Sequence, residues 1–310
     1  MKKIYTKVAA GLGALACLMT MTAGLAACSS ENEEPKQDDG RKLRQLTIEN
    51  VALTRATLTD NGSTLGAAWE ARDNEATYMN LTGFALRRKM CGYLTSSSNA
   101  GTSTFTGSVY CDAGDKLALI YPAKDESKIG SDGSYRIELS GQTGTLSDIA
   151  QRYHYVYGTG TVTSVTGETA SGTISSMKSL LAVCKFTFKD GSGNPVPVKT
   201  LKISYGEDLS VGYPLSGSVI PAFNSGEVTA TPDAPSEATP LAINLDSENA
   251  AGEVYVALFP CGSSSEKVTF YFSVTGSNVT GSNGTYTGTA NAYLIAGRFY
   301  PVTITLTQQS

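Results

Sequence analysis

The residues able to do chemistry in this chain are few, and their spacing argues against catalysis. His154 is the single histidine and so the one possible imidazole base. It lies in Tyr153-His154-Tyr155, an aromatic strand-like segment, where a packed structural histidine is expected. No G-x-S-x-G elbow, P-loop or G-x-G-x-x-G is present. The carboxylates gather in the N-terminal tail and in turns such as Lys124-Asp125-Glu126, and Asp132–Ser134 lacks the regular acid spacing of a calcium loop. Cys91, Cys111, Cys184 and Cys261 form no C-x-x-C pair, so zinc spacing is missing; three disulfide connectivities and buried free thiols all stay open. Trp69 is the single tryptophan and follows Leu65-Gly66-Ala67-Ala68. One tryptophan suits a core better than a stacking platform for sugars, which needs several exposed aromatics. We therefore expect no enzyme, no cofactor and no metal.

Cys28 is the informative nucleophile. Lys2, Lys3 and Lys7 precede an apolar run, and Leu25-Ala26-Ala27 lead into the cysteine. A basic start, an apolar middle and small residues before the cut make residues 1–27 a secretory signal peptide. Removing them, with three lysines and no acid, takes the net charge from −4 to −7. A chain this acidic has no electrostatic footprint for nucleic acid. Residues 28–45 read as an acidic, disordered tether, since Ser29–Gly40 carries Glu31, Glu33, Glu34, Asp38 and Asp39 against one lysine.

The elements around these residues are short strands. Leu201, Ile203 and Tyr205 alternate with Lys202 and Ser204, and Val268, Phe270 and Phe272 alternate with Thr269, Tyr271 and Ser273. Tyr300, Val302, Ile304 and Leu306 face one way, and Thr303, Thr305 and Thr307 the other. Asn61-Gly62, Asp132-Gly133, Asp190-Gly191 and Asn283-Gly284 read as tight turns. One short helix is expected, where Thr145-Leu146-Ser147-Asp148 forms a capping box. Period-2 patterning broken at this spacing predicts an all-β protein of two tandem β-sandwich domains. The boundaries are 46–168 and 169–310, with the joint in the polar stretch Ser164–Ser176.

Several motifs then carry a resemblance. Leu-Ala-Ala-Cys resembles the lipobox of bacterial lipoproteins, in which the cysteine is lipidated, and Ser-Ser-Glu-Asn-Glu-Glu resembles a surface-export signal behind it. Thr54-Arg55-Ala56-Thr57 follows the strand-like Leu46–Leu53 and precedes Trp69. Phe105-Thr106-Gly107 comes next, before Gly114-Asp115-Lys116-Leu117-Ala118-Leu119-Ile120-Tyr121-Pro122-Ala123. Gly141-Gln142-Thr143-Gly144-Thr145-Leu146 and Ala296-Gly297-Arg298-Phe299-Tyr300 complete the order. Together these resemble the fimbrillin family of type V pilus subunits.

The resemblance implies transthyretin-like sandwiches and lipidation of Cys28 for delivery to the outer membrane. It also implies cleavage by a trypsin-like protease between Arg55 and Ala56. Residues 46–55 would be a removable plug strand, and the opened groove would take a strand from another pilin subunit. Arg41 and Arg44 also suit such a protease, but cutting there would leave the plug in place. Because the chain stops soon after Gly297-Arg298-Phe299-Tyr300, with no further strand pair to donate, a tip or accessory subunit with an unassigned adhesion target is expected. The alternative is a surface glycan-binding lipoprotein that keeps its anchor, with Trp69 as its contact.

Overall fold

The alternating apolar positions pair into strands across the described residues. The computed structural model describes residues 41–52, 57–69, 75–80, 90–97, 100–122, 134–175, 177–206, 212–222, 227–234, 239–277 and 283–309. Among these, one sheet runs in the order β10 (Thr169–Ile174), β1 (Leu43–Ala52), β6 (Thr102–Tyr110), β5 (Met90–Ser96), β4 (Glu75–Asn80), β7 (Lys116–Tyr121), β9 (Val156–Thr166) and β11 (Lys178–Ser179). β10 pairs with β9 as well as with β1, and this second pairing closes seven of the strands into a ring. Closure removes the unpaired edges that an open sheet would present. The ring encloses Leu46, Ile48, Val51, Trp69, Leu94, Phe105, Val109, Leu117, Leu119, Val156 and Val162, each fully buried.

A second and larger core holds the remaining sheets together. β12 (Ala182–Lys189) lies between β17 (Glu253–Leu258) and β20 (Phe299–Thr305). Facing it is the sheet β16 (Leu241–Asn249), β13 (Val198–Tyr205), β18 (Val268–Ser277), β19 (Asn283–Ala292) and β21 (Thr307–Gln308). Phe186 and Phe188 of the first sheet meet Phe272 of the second at ring-centroid distances of 5.0 and 5.9 Å, so the two faces pack as a sandwich. β8 (Tyr135–Glu138) joins β14 (Ser216–Ala222) and β15 (Glu227–Pro232) in a further sheet. The hairpin β2 (Thr57–Asp60) and β3 (Leu65–Ala68) adds Leu58 and Leu65 to the larger core. The chain is thus all-β.

The polar stretch 164–176 carries the hairpin β9–β10, whose second strand lies against β1. β1 itself starts at Leu43 rather than 46. The capping box forms as its residues dictate: Asp148 N–H donates to Thr145 Oγ1 at 3.2 Å, opening a short helix, α1 (Leu146–Asp148), that continues as a π-helical turn over Ile149–Tyr153. Two turn expectations shift. Asn283-Gly284 lies inside β19, opposite Ser277 and Gly276, so the reversal precedes it. After β12 the left-handed residue is Gly193, at φ 86°, because Asp190 caps the loop by accepting from Ser192 N–H and Asn194 N–H. Ser204, expected on an outer face, is buried. Asp132-Gly133 lies outside the described residues.

Two of the ordered motifs have clear local roles. Gln142 is buried and acts like a strand segment against the outer edge of β17. Its Oε1 accepts from Ala257 N–H at 2.8 Å, while its Nε2 donates to the carbonyls of Ala257 and Leu139, both at 3.1 Å. Gly144 accepts from Tyr255 N–H at 2.9 Å, and a Cβ there would come within 2.8 Å of Val254 Cγ1. Gly297, at φ 76°, turns the chain so that Arg298 accepts from Val183 N–H and launches β20 parallel to β12.

Candidate functional site

β1 is the element whose sequence and placement set it apart. It runs antiparallel to β6, pairing Leu43 with Tyr110 through Ile48 with Phe105, and parallel to β10, pairing Gln45 with Thr169 through Ile48 with Gly172. Both of its edges are therefore hydrogen-bonded. Leu46 and Ile48 point inward by the two-residue period of a strand. Val51 would then point outward, but the register with β6 shifts between Ile48 and Val51. Asn50, at φ 56°, takes the left-handed conformation that asparagine tolerates, and the bulge returns Val51 to the core. All three side chains are fully buried. At roughly 1.5–3 kcal/mol each, their burial contributes on the order of 5–9 kcal/mol before chain ordering is counted.

Beneath them lies an aromatic floor. Trp69 sits edge-on to Phe105 at 4.7 Å and to Tyr121 at 5.7 Å, and its Nε1–H donates to the Val51 carbonyl at 3.2 Å. The indole therefore reads the bulge of β1 directly. Fully buried, it offers no face to a sugar. His154 is likewise buried.

The amino end of β1 is held by charge. Arg41 grips Asp115 through two nitrogens, Nε–H to Oδ2 at 2.7 Å and Nη2–H to Oδ1 at 2.8 Å. Asp115 is 3% exposed and also accepts from Asp112 N–H at 2.8 Å. Arg44, itself buried, pairs with Asp112 at 2.6 Å, donates to the Cys111 carbonyl, and reaches the Gly167 carbonyl at 3.3 Å. At the carboxyl end, Met177 N–H donates to the Ala52 carbonyl at 3.1 Å.

The hairpin that follows residue 56, β2–β3, packs on the other core through Leu58 and Leu65. Lys185 Nζ pairs with Asp60 Oδ2 at 3.0 Å and with Glu253 Oε1 at 3.1 Å, and Tyr255 O–H donates to Asp60 at 2.7 Å. The tyrosine hydrogen bond, followed by the amide of Gly62 and the Lys185 ammonium, outweighs burial and holds the Asp60 carboxyl below its ordinary value. Burial works against the charge on Lys185, but the hydrogen bonds to Asp60 and Glu253 prevail and raise its pKa.

Cys28, Arg55 and Ala56 lie outside the described residues. The flanking residues show that Ala52 ends β1 in the ring while Leu58 is buried in the larger core. Arg41 and Arg44, read from sequence only as protease sites, turn out to be the clamp of β1. Nothing local in the sequence marks their partners Asp112 and Asp115 as a pair, although Asp115 is part of the Gly114-Asp115-Lys116 motif. A pair of arginines three apart at the start of an apolar strand, matched by acids three apart at the start of another, was the available signal. Cys111, Cys184 and Cys261 are free thiols; burial pushes Cys111 and Cys261 up to about 11 and Cys184 further. The side chain of Cys91 is not among those described.

The sequence matches no known family model and no curated protein. Among solved structures, the chain is similar to a candidate cell adhesion protein from Bacteroides uniformis, at 16% identity over 88% of this chain and 98% of that one, with a TM-score of 0.52. A candidate cell adhesion protein from Bacteroides ovatus is similar at 16% identity over 87% and 97%, with a TM-score of 0.50. At that identity, the likeness establishes a shared fold along nearly the whole length of both.

Proposed function

We propose that this chain is a structural and adhesive subunit of a surface fimbria. In this reading it is delivered to the outer membrane as a lipoprotein on Cys28 and cut after Arg55 by a trypsin-like protease. It then joins other subunits by exchanging β1 for one of their strands; a tip or accessory place is the narrower form of the same reading. The observation that carries it is the division at residues 53–56. β1 completes one core, whereas the hairpin β2–β3 that follows it is anchored in the other by Leu58, Leu65 and the Asp60–Lys185 pair. A cut there frees the strand without loosening β2 and β3 from their own core.

Two further observations support the reading. Arg41 and Arg44 are tied into ion pairs and lie at or within a strand paired on both sides, a poor substrate for a protease that needs an accessible extended segment. The fold is also that of two Bacteroides proteins described as candidates for cell adhesion. A slot that has lost β1 would expose apolar side chains and two rows of unpaired backbone groups, which favour adding an extended segment.

The test is brief trypsin treatment of the purified precursor, followed by N-terminal sequencing and mixing with subunits of the same surface structure. A chain starting at Ala56 that forms higher assemblies is expected. A protein that remains uncut at Arg55, or is cut there and stays monomeric with every partner subunit, refutes the reading.

A further inference from the structure

The two ends of β1 are held by different chemistry, and this asymmetry bears on what can replace it. If β1 leaves, Arg41 and Arg44 leave with it, while Asp112 and Asp115 stay in the loop between β6 and β7. Asp115 is 3% exposed. A carboxylate at that depth is tolerated when a cation faces it, so an occupant that covers Asp115 again without supplying a cation incurs a desolvation cost that the Arg41 pair otherwise offsets. Asp112 is half-exposed and makes the same demand more weakly.

We propose, on the reading of β1 as an exchangeable strand, that Asp112 and Asp115 select the slot's occupant by charge. That occupant is a strand of another subunit whose apolar side chains are spaced as Leu46, Ile48 and Val51, with basic residues two and five positions ahead of the first. The strand runs parallel to β10 and antiparallel to β6, as β1 does. In that direction its cations meet the two acids; reversed, they fall at the far end of the slot, beside Met177. Arginine suits both positions better than lysine. Asp115 is gripped by two nitrogens of one guanidinium, and the Arg44 site offers the Cys111 and Gly167 carbonyls as well as Asp112.

The experiment uses the full chain with a site-specific protease sequence inserted between Thr54 and Thr57, so that nicking does not depend on recognition of Arg55. The nicked chain is mixed with a fluorescent peptide of residues 41–52, or with its R41Q/R44Q counterpart, and uptake is followed by anisotropy. The native peptide is expected to bind at least tenfold more tightly, and about 0.5 M salt should narrow the gap. Asp115→Asn in the chain should reduce the ratio to about threefold or less, with Trp69 fluorescence reporting that the ring is folded. Should that variant fail to fold, Asp112→Asn tested with an R44Q peptide reads the Arg44 half of the preference alone. Equal binding of the two peptides overturns selection by charge while leaving exchange intact. Uptake of neither peptide overturns exchange, and this inference with it.

Discussion

Ile48→Ala tests how firmly β1 is seated. Ile48 is fully buried, opposite Phe105 on one side and Gly172 on the other. The glycine has no side chain to move into the vacated space, and a Cβ built there would sit 3.5 Å from Ile48 Cγ1. Little relaxation is available, so the cost falls in the range of about 2–5 kcal/mol measured for buried isoleucine truncations. That corresponds to an increase in the open population of the ring by roughly 30-fold to a few thousandfold. Trp69 makes the assay specific, since the single tryptophan lies under β1 and bonds the Val51 carbonyl. Urea titration followed by its fluorescence should show the ring opening at lower denaturant in Ile48→Ala than in the parent. Glu49→Ala, exposed on the same strand, should stay within about 0.5 kcal/mol of the parent. If the two variants unfold together, β1 is not the keystone of this core and the reasoning fails.

Three other outcomes are expected. Gln142→Ala removes three hydrogen bonds, two to the edge of β17 and one to the Leu139 carbonyl, and should cost about 2–4 kcal/mol, visible in a thermal melt. Asp60→Asn should lower stability at neutral pH by about 1–2 kcal/mol and flatten the acid limb of a stability–pH curve. The folded Asp60 carboxyl lies below its ordinary value, so its contribution is complete above that value and lost as pH falls through the lowered one. Cys111, buried beside β1 with its thiol pushed up to about 11, should resist iodoacetamide at pH 8 in the intact chain and react once β1 has been removed; equal labelling rates would contradict the placement.

Much of the fold was legible because its signals are local. The capping box at Thr145, the alternation through Tyr300–Leu306 and the apolar run ahead of Thr54-Arg55 each act within a few residues and need no distant partner. What could not be read depends on chain meeting chain. β8 pairs with β14, about eighty residues away, and neither strand announces the other. Asn283-Gly284 carries turn chemistry but lies within a strand, since the register with β18 sets the reversal earlier. The Ser164–Ser176 stretch reads as polar linker because much of the β9–β10 hairpin faces solvent, which removes the apolar half of the usual alternation. The clamp at Asp112 and Asp115 was hidden for the same reason, its arginines lying some seventy residues upstream.

The two-sided pairing of β1 also has a mechanical consequence. Rungs to β10 and β6 lie across the strand axis, so a pull along that axis loads all of them in shear at once rather than peeling them one by one. An edge strand tugged from one end fails like a zipper; a stave held on both sides fails like a bolt. A strand that took the place of β1 in the same register would inherit this loading. Resistance to axial force would then come from the ring itself, with no covalent bond between neighbouring subunits.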